Sequence, residues 1–336
     1  MRRREFLAGG LSVAVGVSRA AAQPTTTLRR LAIFSLFEPA TLMHEKSENR
    51  YYRALFAELR RLGHVEGQNL TVERFGREKS IAGPAAMVAE VVRENPDVVY
   101  VVGPGSRFFK RETTTLPIVA MTGDPVALGL VQSLARPGGN ITGVSVDTGP
   151  SIYGKRIALL REIFPAMSKM AFLILKVGSK ADWEGIQVPI RAAAEATRVD
   201  LAIIPLELPT SEATYRDAVA QAARDGANAV MVGDSPDAMI NRRFIAGLIA
   251  AAGLPAMYPF SDFVEEGGLI AYSYDLVELN KRVANNIDAI LRGKNAGEIP
   301  FWQAAKFEMS INLKTAMALG IAVPATLLAV ADNVIE

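Results

Sequence analysis

The chain has 336 residues, half of them apolar, a formal net charge of +2 and no cysteine. Without cysteine, thiol catalysis, disulfides and cysteine-ligated metals are excluded, and the two histidines, His44 and His64, starve both a Ser/His/Asp triad and conventional zinc chemistry. Arg2, Arg3, Arg4 and Arg19 against Glu5 concentrate the positive charge at one end, so the remainder is close to neutral and offers no basic surface for nucleic acid.

In chain order, the first segment reads as an export signal spanning 1–22. Arg3-Arg4-Glu5-Phe6-Leu7 has the twin-arginine pattern, residues 8–17 form a short apolar core, and Ala20-Ala21-Ala22 offers a small-residue cleavage site. About ten apolar residues are too few to cross a bilayer, which needs about 20. The expectation is a periplasmic protein with no direct membrane insertion.

Residues 23–336 have the length of two domains and alternate short β-branched runs with longer helical patterns, the mark of parallel α/β layers. Strands are expected at 31–34, 70–75, 98–102 and 117–121, helices at 46–62 and 84–94, and a crossover helix at 153–164. The order then returns, with strands at 170–175, 201–206, 229–232 and 255–258 and helices at 181–198, 211–224 and 241–252. Matching pieces recur at an offset of about 135 residues. This predicts an α/β protein of two doubly wound parallel-sheet lobes joined by a multi-strand hinge. The turn-rich stretch 136–145, the strand 269–274 feeding a helix at 277–292, and the stretch 293–300 are the expected crossings. They divide the chain into a first lobe, 23–145 with 273–300, and a second, 146–272 with 301–336.

Several motifs tempt and fail. Gly149-Pro-Ser-Ile-Tyr-Gly154-Lys155-Arg156 has phosphate-loop spacing, yet Arg156 stands where magnesium needs Ser or Thr, and Ile152 and Tyr153 fill the place of bare backbone. Gly103-Pro-Gly105 lacks the third glycine of a dinucleotide fingerprint. The carboxylates of Asp262, Glu265 and Glu266 read as solvated groups before a turn. No metal, cofactor or catalytic residue is implied.

The loops after the strands are more informative, because ligands of open parallel sheets bind beyond the carboxyl ends of strands. They contain Ser35 and Phe37, Gly105 and Ser106, Thr122 and Asp124, Lys176, Asp234 and Tyr258; Tyr272, on the strand at the second crossing, completes the candidate set. Ser106 and backbone N–H groups can take a carboxylate, Asp234 an ammonium, and Phe37 with Tyr258 a flat apolar group. The set is poor in catalytic pairs.

Across the chain, Leu62-Gly-His-Val-Glu-Gly-Gln-Asn69, Gly123-Asp-Pro-Val126, Ser133-Leu-Ala-Arg-Pro-Gly-Gly-Asn-Ile-Thr-Gly-Val-Ser145, Lys155-Arg-Ile-Ala-Leu-Leu-Arg-Glu162, Tyr258-Pro-Phe-Ser-Asp-Phe263, Gly267-Gly-Leu-Ile-Ala-Tyr272 and Lys306-Phe-Glu-Met-Ser-Ile-Asn-Leu-Lys-Thr-Ala316 occur in order. In these segments the chain resembles the ABC-transporter substrate-binding proteins of the tryptophan/tyrosine-type family, which have a type I periplasmic-binding fold. The resemblance implies an extracytoplasmic receptor, expected to be a monomer, that closes on a small solute and delivers it to an ABC permease. It implies a carboxylate seat at Gly105, Ser106 and Thr122 and an ammonium partner at Asp234. Three loops depart from the family's pattern: Leu36-Phe37-Glu38 where a small, Asn/Ser-rich loop is frequent, Arg107-Phe108-Phe109 where small residues are usual, and Lys176-Val-Gly-Ser179 where an Asn-Pro-rich loop is usual. Lys176 and Arg107 leave open a solute with an extra acidic group, or an aromatic carboxylate without an ammonium. Two other readings stand beside the importer receptor: a ligand-sensing partner of a membrane signalling receptor, and an exported α/β hydrolase or isomerase.

Overall fold

The computed structural model describes residues 28–146, 149, 151–176 and 179–336; the export-type segment 1–22 lies outside them. The first lobe is built from β1 (Arg29–Ser35), α1 (Arg50–Arg61), β2 (Leu70–Phe75), α2 (Pro84–Glu94), β3 (Val98–Val102), α3 (Ser106–Glu112), β4 (Ile118–Thr122) and β5 (Ile141–Ser145). Its apolar strands pair in parallel around the fully buried run Leu31–Phe34, as a sheet covered on both faces requires. Helix α1 buries Tyr52, Leu55, Phe56 and Leu59 along one stripe. It starts later than the apolar periodicity predicts, because Asn49 is extended and its side chain accepts the Tyr51 N–H. Arg53 also draws the Ser47 and Glu48 carbonyls out of helical pairing.

The second lobe follows with α4 (Ser151–Ile163), β6 (Lys169–Leu175), α5 (Lys180–Thr197), β7 (Asp200–Leu206), α6 (Glu212–Arg224), β8 (Ala229–Val232), α7 (Pro236–Ile240), α8 (Arg242–Ala251), β9 (Ala256–Tyr258), α9 (Ser261–Glu265) and β10 (Ile270–Tyr274). Then α10 (Leu276–Leu291) returns to pack on α1 and on β3 to β5, and β11 (Trp302–Gln303) pairs with β5. Strand β12 (Phe307–Asn312) runs antiparallel to β10; α11 (Leu313–Ala318), α12 (Ala325–Leu328) and β13 (Asn333–Ile335) end the chain.

The sheet orders are β11-β5-β4-β3-β1-β2 and β13-β12-β10-β9-β8-β6-β7. Stripped of the added strands, each lobe has the same five-strand doubly wound order, so the two-lobe expectation holds at the level of topology. One face of each sheet carries its own apolar cluster, around Phe34, Val101 and Phe109 in the first lobe and around Met170, Phe172 and Ile157 in the second. The opposite faces share one continuous cluster running from Ile33 and Leu55 through Tyr274 and Phe260 to Val230 and Val232.

One expected crossing, from the strand ending at Tyr274 into the following helix, is where the chain changes sheets, whereas two glycine-bearing stretches are not crossings. Loop 136–140 and stretch 293–300 hold each other inside the first lobe: the Gly138 N–H donates to the Gly297 carbonyl, and Phe301 N–H to that of Leu134. A Cβ on Gly297 would stand 2.5 Å from the Gly139 carbonyl oxygen, so close packing, not hinge freedom, requires glycine there. The chain changes sheets after Ser145, between Tyr274 and Leu276, and between Gln303 and Phe307. The last two passages are stitched together, with Asp275 N–H to the Lys306 carbonyl and Lys306 Nζ 2.8 Å from the Asp275 carboxylate.

Candidate functional site

The carboxyl ends of β3 and β8, central strands of the two sheets, face each other between the lobes. The lobes meet there closely enough that a Cβ on Gly103, after β3, would stand 3.4 Å from the ring of Pro236, which opens α7. On the second-lobe wall, β8 ends at Val232 and delivers Asp234, while the first turns of α4 bring in Arg156. Arg156 Nη1 lies 2.5 Å from Asp234 Oδ1 and Nη2 lies 3.2 Å from Oδ2. Its Nε donates to the Tyr272 carbonyl at 2.8 Å, and Nη2 also reaches that of Pro259. The Arg156 side chain is 1% exposed and that of Asp234 28%. Burial works against the arginine's charge, and Asp234 more than offsets it, holding the guanidinium pKa above its ordinary value. Asp234 is therefore not the unpaired acid expected from sequence: its inner side is neutralised, and only its outer edge remains accessible.

Two tyrosines flank the pair. Tyr272 stacks on Phe307 with centroids 5.4 Å apart, and Tyr274 packs edge-on against Phe260 at 5.7 Å. Burial and then the Asp234 charge push the Tyr274 phenol well above its usual pKa, so it stays a neutral hydroxyl. Tyr258 takes another role: its ring is buried, stacks on Phe263 at 5.2 Å, and leaves no room for a Cβ on Gly268. It does not offer an open face opposite Phe37, and the aromatic clamp expected between those two rings is corrected on that geometry.

The first-lobe wall uses its polar groups inward. Ser35 Oγ accepts the N–H groups of Phe37 and Glu38 at 3.3 and 3.1 Å, turning the chain after β1 and leaving Phe37 half-buried. Gly105 permits the close approach of Phe34, whose ring carbon would lie 2.6 Å from a Cβ there. Buried Ser106 donates to the Gly103 carbonyl at 3.4 Å, and Thr122 is buried at the end of β4. Asp124 accepts the N–H groups of Val126 and Ala127, a local cap. On the opposite lobe, Lys176 pairs with Glu207 at 2.8 Å on an exposed surface, which accounts for its charge without a solute.

Residue chemistry alone missed several groups. Arg156 was visible only as the residue that spoils a phosphate loop; its partner is fixed by topology, not spacing. Glu38 is buried, with Tyr52 Oη 2.7 Å from Oε2 and Asn49 Nδ2 3.3 Å from Oε1. Asp262, read as a solvated carboxylate, has an 11% exposed side chain and pairs with Arg50. Among the described residues, no group of three or more His, Asp or Glu side chains could hold a metal ion, and no helix is long and apolar enough to cross a membrane.

Two parallel-sheet lobes with facing strand ends define the type I periplasmic-binding fold, and the comparisons agree. A family model described as ABC transporter substrate binding protein matches residues 41–335, so the chain belongs to that family. It is similar to a tyrosine-binding protein of Clostridioides difficile (strain R20291), 22% identical over 301 residues covering 87% of this chain and 81% of the relative. A conserved domain protein from Vibrio cholerae superposes with a TM-score of 0.80 at 22% identity, over 92% of this chain and 100% of that one. An ABC domain from Streptococcus pneumoniae, solved in complex with L-Trp, gives 0.78 at 21% identity with the same coverages.

Proposed function

We propose that the protein is the extracytoplasmic receptor of an ABC importer, closing its lobes on a zwitterionic amino acid with an aromatic side chain and presenting it to a membrane permease. The observation that carries this reading is the Arg156–Asp234 pair on the cleft wall. A buried guanidinium fixes the carboxylate from behind, so its outer lone pairs stand as a rigid acceptor for an ammonium, while the wall as a whole stays neutral. A neutral wall favours a zwitterion over a cation or a dianion. The name of the tyrosine-binding relative and the L-Trp complex of the streptococcal neighbour support the same class of solute. Lys176, already paired with Glu207, gives little support to a solute with an extra acidic group. No bond is made or broken in this function; differential affinity for the closed arrangement shifts the lobes.

Calorimetric titration of the purified protein with L-tryptophan, L-tyrosine and the corresponding acids lacking the α-amino group tests the reading. Binding of an amino acid at least tenfold tighter than its deaminated analogue is expected. Equal binding of both would remove the ammonium–Asp234 contact, and binding of a sugar instead would overturn the solute class.

A further inference from the structure

The strongest unassigned feature is a polar cluster joining the two lobes outside the Arg156–Asp234 wall. Arg50, the first residue of α1, belongs to the first lobe, where α1 packs on α10. Its partners sit on α9, which packs on β10, β12 and α8 of the second lobe. Arg50 Nη2 lies 2.7 Å from Ser261 Oγ and 2.8 Å from Asp262 Oδ2; Nη1 lies 2.8 Å from Glu265 Oε1. The Tyr51 hydroxyl donates to the same Asp262 oxygen, and the Arg50 guanidinium lies over the Tyr51 ring at 5.4 Å. Both partners of the Asp262 carboxylate thus come from the opposite lobe.

We propose that Arg50, Tyr51 and Asp262 form a solute-independent clamp that biases the lobes toward the closed arrangement and thereby sets solute affinity without touching the solute. Separating the lobes removes four charge-assisted or hydroxyl contacts at once and returns a largely buried carboxylate to water. The clamp has a built-in limit. Arg50 Nε is buried with no hydrogen-bond partner, so closure leaves one donor desolvated and unpaired, and opening relieves it. Gain and penalty of similar kind keep the two arrangements within reach of each other, as a receptor that must release its cargo requires. The clamp bears on the proposed receptor function through affinity, yet its geometry is defined without any solute.

Small-angle scattering of the solute-free full chain provides the test, comparing wild type with Arg50→Gln, Tyr51→Phe and Glu265→Gln. Arg50→Gln is expected to shift the solute-free population about tenfold toward the open form, seen as a larger radius of gyration, with Tyr51→Phe and Glu265→Gln giving smaller shifts in the same direction. Raising salt from 50 to 500 mM should expand the wild type more than Arg50→Gln. Should Arg50→Gln fail to fold, the other two variants decide. Identical scattering for every folded variant at both salt concentrations overturns the clamp. Because no solute is used, failure of the amino-acid reading leaves this readout intact. If an amino acid does bind while scattering stays unchanged, the clamp alone fails.

Discussion

The two lobes share a strand order, yet one of them adds a buried ion pair at its strand ends. In the first lobe, Ser35, Ser106 and Thr122 are small neutral groups folded into their own loops, and Glu38 is a buried carboxyl satisfied by the neutral donors Tyr52 and Asn49. In the second, an ion pair stands beside the end of β8. Arg156 is locked to Asp234, whereas Asp237, like Glu38, is held by neutral donors, Tyr215 Oη at 2.5 Å and Thr210 Oγ1 at 2.6 Å. A duplicated scaffold therefore supplies positions, and the loop residues decide which wall carries charge. One wall of the cleft is shaped by backbone and packing, the other by an ion pair, and each should fail differently.

The largest effect is expected from the charged wall. Asp234→Ala leaves Arg156 buried without its counter-charge, and denaturant unfolding should show a loss of about 3–5 kcal/mol. Arg156→Met removes the buried charge and leaves the partly exposed Asp234 to regain water, so its loss should be clearly smaller. Equal losses would mean that the pair is more symmetric than its 1% and 28% exposures imply.

On the first-lobe wall the expected failure is steric. Gly105→Ala drives a methyl into the Phe34 ring, itself wedged edge-on against Phe109 with centroids 5.0 Å apart. Overpacking of this kind costs about 1–3 kcal/mol. The loss should show in thermal unfolding at any ionic strength, whereas the second-lobe variants respond to salt.

Which parts were legible in the sequence follows the same division. The strands were readable because a parallel sheet buried on both faces leaves continuous apolar runs such as Val98–Val102 and Ala229–Val232. The repeat was readable because both lobes space those runs alike. Short helices such as α3, α7 and α9 escaped, since five to seven residues make fewer than two helical turns, too few for an apolar repeat to stand out. At the site, Asp234 stood out by its place after a strand, but its partner lies 78 residues away on another element. Asp262 looked solvated because its cover, Arg50 and Tyr51, arrives from the other lobe. Glycines 138, 139 and 297 suggested a hinge and instead permit two loops to touch.

Glu38 offers a pH test that sharpens the comparison further. Burial raises its carboxyl pKa, with the Tyr52 and Ser35 hydrogen bonds pulling the other way. The folded state therefore keeps this proton at pH values where the unfolded chain has lost it. The native form binds more protons in that window, so the Glu38 contribution to stability is full below the ordinary carboxylate value and declines as pH rises through the raised one. Glu38→Gln, neutral throughout, should gain stability relative to wild type between pH 4 and pH 8. A difference that stays flat with pH would show that the fold does not favour the protonated carboxyl, and the comparison with Asp234 would lose its contrast.

The smallest effect is expected at Lys176, and its smallness is informative. The Lys176–Glu207 pair is solvent-exposed on both sides, the setting in which ion pairs contribute about 0–1 kcal/mol. Lys176→Ala should leave unfolding free energy within about 0.5 kcal/mol of wild type. Amino-acid affinity should also be unchanged within twofold, because the charge is turned toward Glu207. A large loss of affinity with stability intact would mean that Lys176 leaves Glu207 for the solute on closure. The cleft would then carry a positive charge on the second-lobe wall, and the favoured solute would change from a zwitterion to an acid.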